Sequence, residues 1–417
     1  MNRHWNVAGV SLSLTLVVCA GAQVSATFDF IPNAVSANDL TPNGRYVLGS
    51  LDSDGDFFPD DGYRWDRWTN TLTVIESQAI ATGGDAAAAL SDDGSIIVGQ
   101  IPETSVEEFS NEAAMWTDAG GWVGLGWLPN AGVCPSRSDA YEVSADGSVV
   151  VGLSWDGCLG RGFCWTEATG MQELENLANG GNRASICSAD GSVIAGFAQG
   201  NFNRTPAVWN GDTLEGTLLD PSGDAEGEWH GMSDDGQILL GTLYMGDGDG
   251  AFDAVKWTAA GGVEVIGAGS LIGGWGGNAF DIADNGTIVG FDFLLGNRRA
   301  WIQPNGTGPL VPLKDYITSH GGSVPTGLNL EVAQAISADG RVIIGHTAFQ
   351  GAWIVTLDFG CNQADFAEPW GVLDFFDVQA YLNAFSGGNH LADLNGDSVL
   401  NFFDVQSFLA TFANGCN

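Results

Sequence analysis

The amino-acid sequence predicts an all-β, seven-bladed β-propeller followed by a small α-helical module. Three observations carry this. One pattern recurs seven times between Leu40 and Trp353: a tight Asp/Asn-Gly turn, an aliphatic run ending in Gly, then a Trp. The last copy lacks a fourth strand that the start of the chain can supply. The sixty residues after it differ in kind and contain a duplication of their own. A unit of about fifty residues with four short strands is the mark of a propeller blade.

Residues 1–26 read as an export signal. Arg3 and His4 make a polar start, Val7 to Ala20 is mostly apolar, and Ala20-Gly21-Ala22 or Val24-Ser25-Ala26 offers small residues for cleavage. The mature protein is then expected to be secreted or displayed at the cell surface, without membrane insertion. No other stretch is long and apolar enough to span a bilayer.

Residues 27–357 hold the repeats. In each unit strand A ends at the turn, strand B is the aliphatic run, strand C carries the Trp and strand D follows a second turn. Examples of the turn and run are Val143-Ser-Ala-Asp-Gly-Ser-Val-Val-Val-Gly152 and Ile336-Ser-Ala-Asp-Gly-Arg-Val-Ile-Ile-Gly345. Asn-Gly and Asp-Gly supply the positive φ angles that tight hairpins demand, which fixes the A–B register. The seven strand-C tryptophans, Trp65, Trp116, Trp165, Trp209, Trp257, Trp301 and Trp353, are expected to pack blade on blade. Ile354–Leu357 ends the last unit with no strand D, and Thr27-Phe-Asp-Phe-Ile-Pro32 matches the missing strand. An N-terminal strand closing the last blade leaves only short edges exposed.

Charge narrows the partners. Against 51 acidic residues stand 13 Lys and Arg, for a formal net charge of −38. Such a surface repels phosphate backbones and anionic lipid, so nucleic acid is not an expected partner. It suits cations and solubility.

Six cysteines remain after export, an even number suited to an oxidising compartment. Cys361 and Cys416 bracket the last module and are expected to clasp its ends. Cys134, Cys158, Cys164 and Cys187 allow three pairings, of which loop length favours Cys134 with Cys158.

Residues 358–417 contain two matching segments, Val372-Leu-Asp-Phe-Phe-Asp-Val-Gln379 and Val399-Leu-Asn-Phe-Phe-Asp-Val-Gln406. Each leads into an amphipathic helix whose stripe would be Val378, Tyr381, Leu382, Phe385 in one and Val405, Phe408, Leu409, Phe412 in the other.

These residues support two resemblances. The Ser-Ala-Asp-Gly-Ser-Val-Val-Val-Gly units, each with its following Trp, resemble the HAF-type extracellular repeats of bacteria over residues 27–357. That implies a secreted repeat scaffold and brings no activity with it. Residues 358–417 resemble a dockerin module of the subtype bracketed by cysteines. This resemblance implies two calcium loops, each followed by a helix, and docking onto a cohesin-like or other cell-surface receptor.

In the second loop Asp393, Asn395 and Asp397 stand at positions 1, 3 and 5, Asn401 at 9 and Asp404 at 12, with the Val399 carbonyl completing an oxygen shell for calcium. The first loop departs further: Asp365 and Asp377 match the ends and Asp374 is available, but Ala367 and Pro369 fill ligand positions. Phe375, Phe376, Phe402 and Phe403 stand where dockerins meet their receptor. Against this stands core packing, which is expected of at least one ring of each pair.

In the propeller the B–C and D–A loops are long and variable, and variable loops on a rigid scaffold are where binding usually resides. Trp155, Trp229 and Trp275 fall outside the repeated strand-C position and are expected to offer rings to a glycan or protein ligand on that face. Two acidic B–C loops are candidate cation sites, Asp52, Asp54 and Asp56 in one and Asp247, Asp249 and Asp253 in the other; the alternative is solvated turns. No catalytic residues stand out. His230, His320 and His346 are scattered, no Gly-x-Ser-x-Gly elbow is present, and no carboxylate pair separates from the other acids. The expected function is non-enzymatic binding or scaffolding with calcium-dependent docking. A propeller glycoside hydrolase or other hydrolase anchored by the same module is the alternative.

Overall fold

The computed structural model of the chain describes residues 25–52, 61–76, 87–102, 111–129, 136–155, 158–200, 204–220, 222, 225–244, 252–266, 277–294, 296–358, 364–367, 373–389, 392, 394 and 399–415. They fall into two units, Ser25–Asp358 and a C-terminal unit from Phe359 onward.

The first unit is a seven-bladed propeller of four-stranded antiparallel sheets. Its innermost strands are Ala34–Leu40, Ala87–Leu90, Arg137–Val143, Asn182–Cys187, Gly227–Met232, Gly277–Ile282 and Val332–Ile336. Each touches the next, and the seventh touches the first, so the ring closes around a central channel. Blade 7 is completed by Ser25–Phe30, which pairs with strand C (Gly351–Asp358) with Phe30 opposite Trp353. The closing strand expected from the N-terminus is therefore in place, starting two residues earlier than Thr27. Helix α1 (Leu313–Ser319), in a stretch whose sequence reads only as a long loop, buries Leu313, Tyr316 and Ile317. At the end of α1, the His320 carbonyl accepts the Ala26 amide at 3.0 Å and ties the closing strand down.

The repeat has a local physical cause. In Ser144-Ala145-Asp146-Gly147 the Ser144 hydroxyl donates to Asp146 Oδ1 at 2.9 Å, and that oxygen accepts the Ser148 amide. The Val149 amide in turn donates to Ser144 Oγ. The same set recurs at Ser91, Ser188, Ser233 and Ser337. Gly147 takes φ +75°, a left-handed conformation that costs glycine least. Between blades the tryptophans fill the cores: Trp209, Trp301 and Trp353 are fully buried, and Trp65, Trp116, Trp165 and Trp257 pack partly buried against neighbouring clusters.

The turns are also laced to each other around the axis. In five of the seven blades the second residue of the turn donates its amide to its counterpart one blade on: Asp92 to Ala145, Ala145 to Ala189, Ala189 to Asp234, Asp284 to Ala338 and Ala338 to Pro42. Pro42 has no N–H, so it cannot pass the chain of bonds on to Asp92.

In the C-terminal unit, helices α2 (Phe375–Ser386) and α3 (Phe402–Asn414) share a core in which Tyr381 and Phe408 stack with ring centroids 4.0 Å apart. Phe366 meets both rings edge-on. Leu382 and Leu409 are exposed, a correction to the expected stripes. Two short helices bury only the narrow face centred on Tyr381 and Phe408, and the next residue lies about 100° around the helix, outside it.

Candidate functional site

Every innermost strand carries a β-bulge at the same place, three residues before its turn. The extra residue, skipped by the ladder, is Asn38, Ala88, Tyr141, Ser185, His230, Phe280 or Gln334 in blades 1 to 7. A bulge re-aims a side chain, and all seven line the central channel. The bulge also explains the Gly that ends each aliphatic run. A Cβ on Gly152 would strike the Asp139 carbonyl, and one on Gly345 the Val332 carbonyl, because the bulged strand brings its backbone onto them.

One residue nearer the turns, Asp39, Glu142 and Asp281 face the same interior. Asp39 accepts the Leu40 amide at 2.7 Å and, across the blade boundary, the Leu90 amide at 2.8 Å. Asp281 repeats this with Ile282 and Ile336, both at 2.8 Å. Burial pushes Asp39 up to about 6 and Asp281 up to about 8, against the opposing pull of those amides. Glu142 is raised well above the ordinary range, chiefly by burial and then by the Asp39 charge. Asp92, raised to about 6 by burial and by Asp234, adds a further carboxyl toward the turn face. In blade 5 His230 is lowered to about 3 by burial and by Arg183 and Arg204, both paired with Glu228.

Toward the long-loop face the channel widens into a cavity of about 560 Å³ bounded by blades 7, 1, 2 and 3. Its walls include Asn38, Gln100, Asn111, Arg137, Tyr141 and Gln334. Arg137 lies 3.8 Å from Asp139, and its guanidinium carbon sits 5.3 Å from the centre of the Trp155 ring. Asn111 donates to Gln100 Oε1 at 2.8 Å, and Asn38 donates to the Ala87 carbonyl at 3.0 Å.

The residues singled out in the sequence are distributed unevenly. Trp155 ends strand B of blade 3, half-buried beside this cavity. Trp229 is fully buried in the core formed by blades 4 and 5, a correction. It occupies the inner-strand position held by Ala37, Ala87, Ala140, Ala184, Ala279 and Ala333 in the other blades, so its ring is packing and offers no face to a ligand. Trp275 lies outside the described residues. Asp52 follows strand B of blade 1, and Asp253 lies within strand C of blade 5. Their partners Asp54, Asp56, Asp247 and Asp249 lie outside the described residues. Among the described residues no group of three or more His, Cys, Asp or Glu is placed to hold a metal.

In the C-terminal unit Asp393, Asn395 and Asp397 lie outside the described residues. Asn401 caps α3, accepting the Phe403 amide, while Asp404 Oδ2 accepts the Asn401 amide and the Val399 carbonyl accepts Asn401 Nδ2. Asp374 and Asp377 form the same capping box on α2. Buried Asp377 also holds the Phe366 and Ala367 amides at 2.7 and 2.8 Å. Asp365 is buried beside them. Phe375, Phe376, Phe402 and Phe403 are 72, 58, 73 and 62% exposed, so none of the four fills the core. Cys158 is disulfide-bonded, Cys164 and Cys187 are free thiols, and Cys134, Cys361 and Cys416 lie outside the described residues.

The ring of bulge residues was the site that sequence reasoning missed. The available signal was the column three residues before each turn, which changes in every repeat while the position before it is Ala in six of the seven.

No family model matches the chain, and no curated protein matches it. Solved structures similar to it include an oligogalacturonate lyase in complex with manganese, at 13% identity and TM-score 0.52, covering 81% of this chain and 98% of that one. The oligogalacturonate lyase of Vibrio parahaemolyticus aligns at 11% identity and TM-score 0.51 over 81% and 98%. The β-propeller domain of Myceliophteria thermophila Cps50 (Swd1) aligns at 10% identity and TM-score 0.50 over 80% and 98%. At such identities the likeness is one of fold alone.

Proposed function

We propose that this is a secreted or cell-surface, non-enzymatic binding and scaffold protein. Its propeller receives a ligand on the long-loop face, and its dockerin-like C-terminal module docks it, with calcium, onto a cohesin-like or other cell-surface receptor. The observation that carries the reading is the exposure of Phe375, Phe376, Phe402 and Phe403 at the starts of two matching, identically capped helices. Four large rings held in water on a small module are a twofold apolar patch, and aromatic anchors of this sort dominate interface energies.

Calcium is supported by charge. Residues 358–417 contain no Lys or Arg, yet Asp365, Asp377 and Asp404 are all buried. Buried carboxylates need compensation, and in this module it comes from backbone amides or from a bound cation. The non-enzymatic reading rests on Asp39 and Asp281, whose carboxylates are spent joining neighbouring blades. A Cys134–Cys158 bridge and a Cys361–Cys416 clasp belong to the same proposal.

The test is thermal unfolding of the full chain with millimolar calcium or EDTA, followed by binding to immobilised cohesin-like receptor modules. Calcium raises the module's transition, by about 2.7 kcal/mol at a hundredfold excess over Kd. Asp393→Ala with Asp397→Ala abolishes that rise, and charged replacements of the four phenylalanines abolish capture without moving the transition. No calcium response and no capture would overturn the docking reading. Turnover of polysaccharide by the propeller would replace it with the hydrolase.

A further inference from the structure

The seven bulge positions are related by the symmetry of the ring, and the backbone that holds them repeats. The preceding position is Ala in six of the seven blades, whereas the bulge position holds seven different residue types. A side chain needed only for packing would recur where its surroundings recur. Seven different side chains turned into one channel, on a backbone that repeats from blade to blade, match an asymmetric ligand.

The ring is most open at Ala88, the smallest of the seven, and there the cavity of about 560 Å³ forms. That volume is within the range of small-molecule sites, which runs from about 300 to 1,000 Å³. Its lining is polar rather than apolar. The Gln334 amide and the Tyr141 hydroxyl make no hydrogen bond among the described residues. Asn38 Oδ1 is left over once Nδ2 has donated to Ala87, and Asn111 Oδ1 and Gln100 Nε2 are left over from their mutual bond. The wall therefore offers both donors and acceptors. Among the described residues Arg137 is the Lys or Arg that lines it, and its charge faces Asp139. Deeper in, Asp39, raised only to about 6, carries negative charge at neutral pH and makes the channel unfavourable to anions.

We propose that this mouth cavity binds a neutral polyhydroxylated ligand, the terminal sugar of an uncharged oligosaccharide. A sugar hydroxyl donates and accepts at once, which suits amide oxygens, amide nitrogens and a phenol. Tyr141, which lines the cavity, provides aromatic surface for its apolar face. The assignment rests on reading the propeller as a ligand-binding scaffold and adds where and what it binds.

The test applies the full chain to an array of neutral, amino and uronic oligosaccharides, followed by calorimetric titration of the neutral ones. The expected result is binding to neutral sugars over uronates. Ala88→Phe, which fills the cavity, abolishes it, and Gln334→Ala, which removes a channel side chain without entering a core, weakens it about tenfold, the loss of roughly one or two hydrogen bonds. Unchanged melting of Gln334→Ala separates lost contacts from lost folding. Preference for uronates overturns the ligand class. Sugar binding that survives Ala88→Phe and Gln334→Ala overturns the location. No sugar binding by a chain that still docks through its module overturns this inference alone.

Discussion

The carboxylate of Asp281 accepts the main-chain amide of Ile336 at 2.8 Å, joining blade 6 to blade 7. Asp39 does the same from blade 1 to blade 2. Each clamp is a carboxyl held above its ordinary value, so it carries a pH dependence whose sign can be worked out. A carboxyl raised in the fold from an unfolded value of about 3.9 binds its proton more tightly when folded. Its stabilising contribution is complete below about pH 4 and is lost as pH climbs through about 6 for Asp39 and about 8 for Asp281. The turn aspartates act oppositely: Asp190, lowered to about 2 mainly by hydrogen bonding from Ser192, withdraws stability only as pH falls toward that value. The melting temperature of the propeller is therefore expected to peak near pH 4 to 5 and decline toward about pH 8. Replacing Asp39 and Asp281 together by Asn should flatten that decline, at the cost of an acceptor in each clamp. A wild-type melting temperature that is level across this range would contradict the assignment.

Trp229→Ala tests the corrected position of that ring. A fully buried Trp cut back to Ala costs about 3–5 kcal/mol, so the variant should melt well below the wild type. Loss of ligand binding at full stability would put the ring back at the surface.

The blades were legible because the turn, the aliphatic run and the Trp recur at spacings that only a ring of small sheets explains. The channel was not. A bulge shifts a period-two pattern by one residue, which a strand of four to seven residues is too short to display, and the residue it turns inward is any type at all. Trp229 misled for a related reason. It lies outside the strand-C column, yet it fills an inner-strand position where six other blades place Ala, visible only once the bulges have set the register. In the C-terminal unit the helices could be read from the duplicated segments, but the capping roles of Asp374, Asp377, Asn401 and Asp404 could not, because the same side chains at the same spacing read as a calcium set. Exposure of all four phenylalanines could not, because a two-helix core is too small to show from composition which rings it holds.

Asp377 should be the most sensitive polar residue of the C-terminal unit. Its carboxylate receives the amides of Phe366, Ala367 and Asp374, and removing it orphans all three inside a small core. Asp377→Ala is expected to cost about 2–4 kcal/mol, with Asp377→Asn recovering part of the loss. Amide hydrogen exchange at Phe366 and Ala367 reads the effect directly, and unchanged protection in the alanine variant would refute it.

Gly152→Ala adds one methyl group and should still be severe, by about 2 kcal/mol or more, since the new Cβ meets the Asp139 carbonyl and main chain cannot step aside. Gly170→Ala is the control: its added Cβ has open space around it, and only its φ of +66° is strained. Chemical denaturation of the two variants should rank them in that order.

The bulge has an evolutionary consequence. When a blade-encoding segment is duplicated, turn, run, Trp and terminal Gly are copied as a set, and any drift among them damages strand pairing. The bulged residue stands outside the ladder, so selection on the fold barely constrains it. Point substitution can rewrite the channel one blade at a time, turning a symmetric ancestor into an asymmetric receptor without any intermediate that fails to fold.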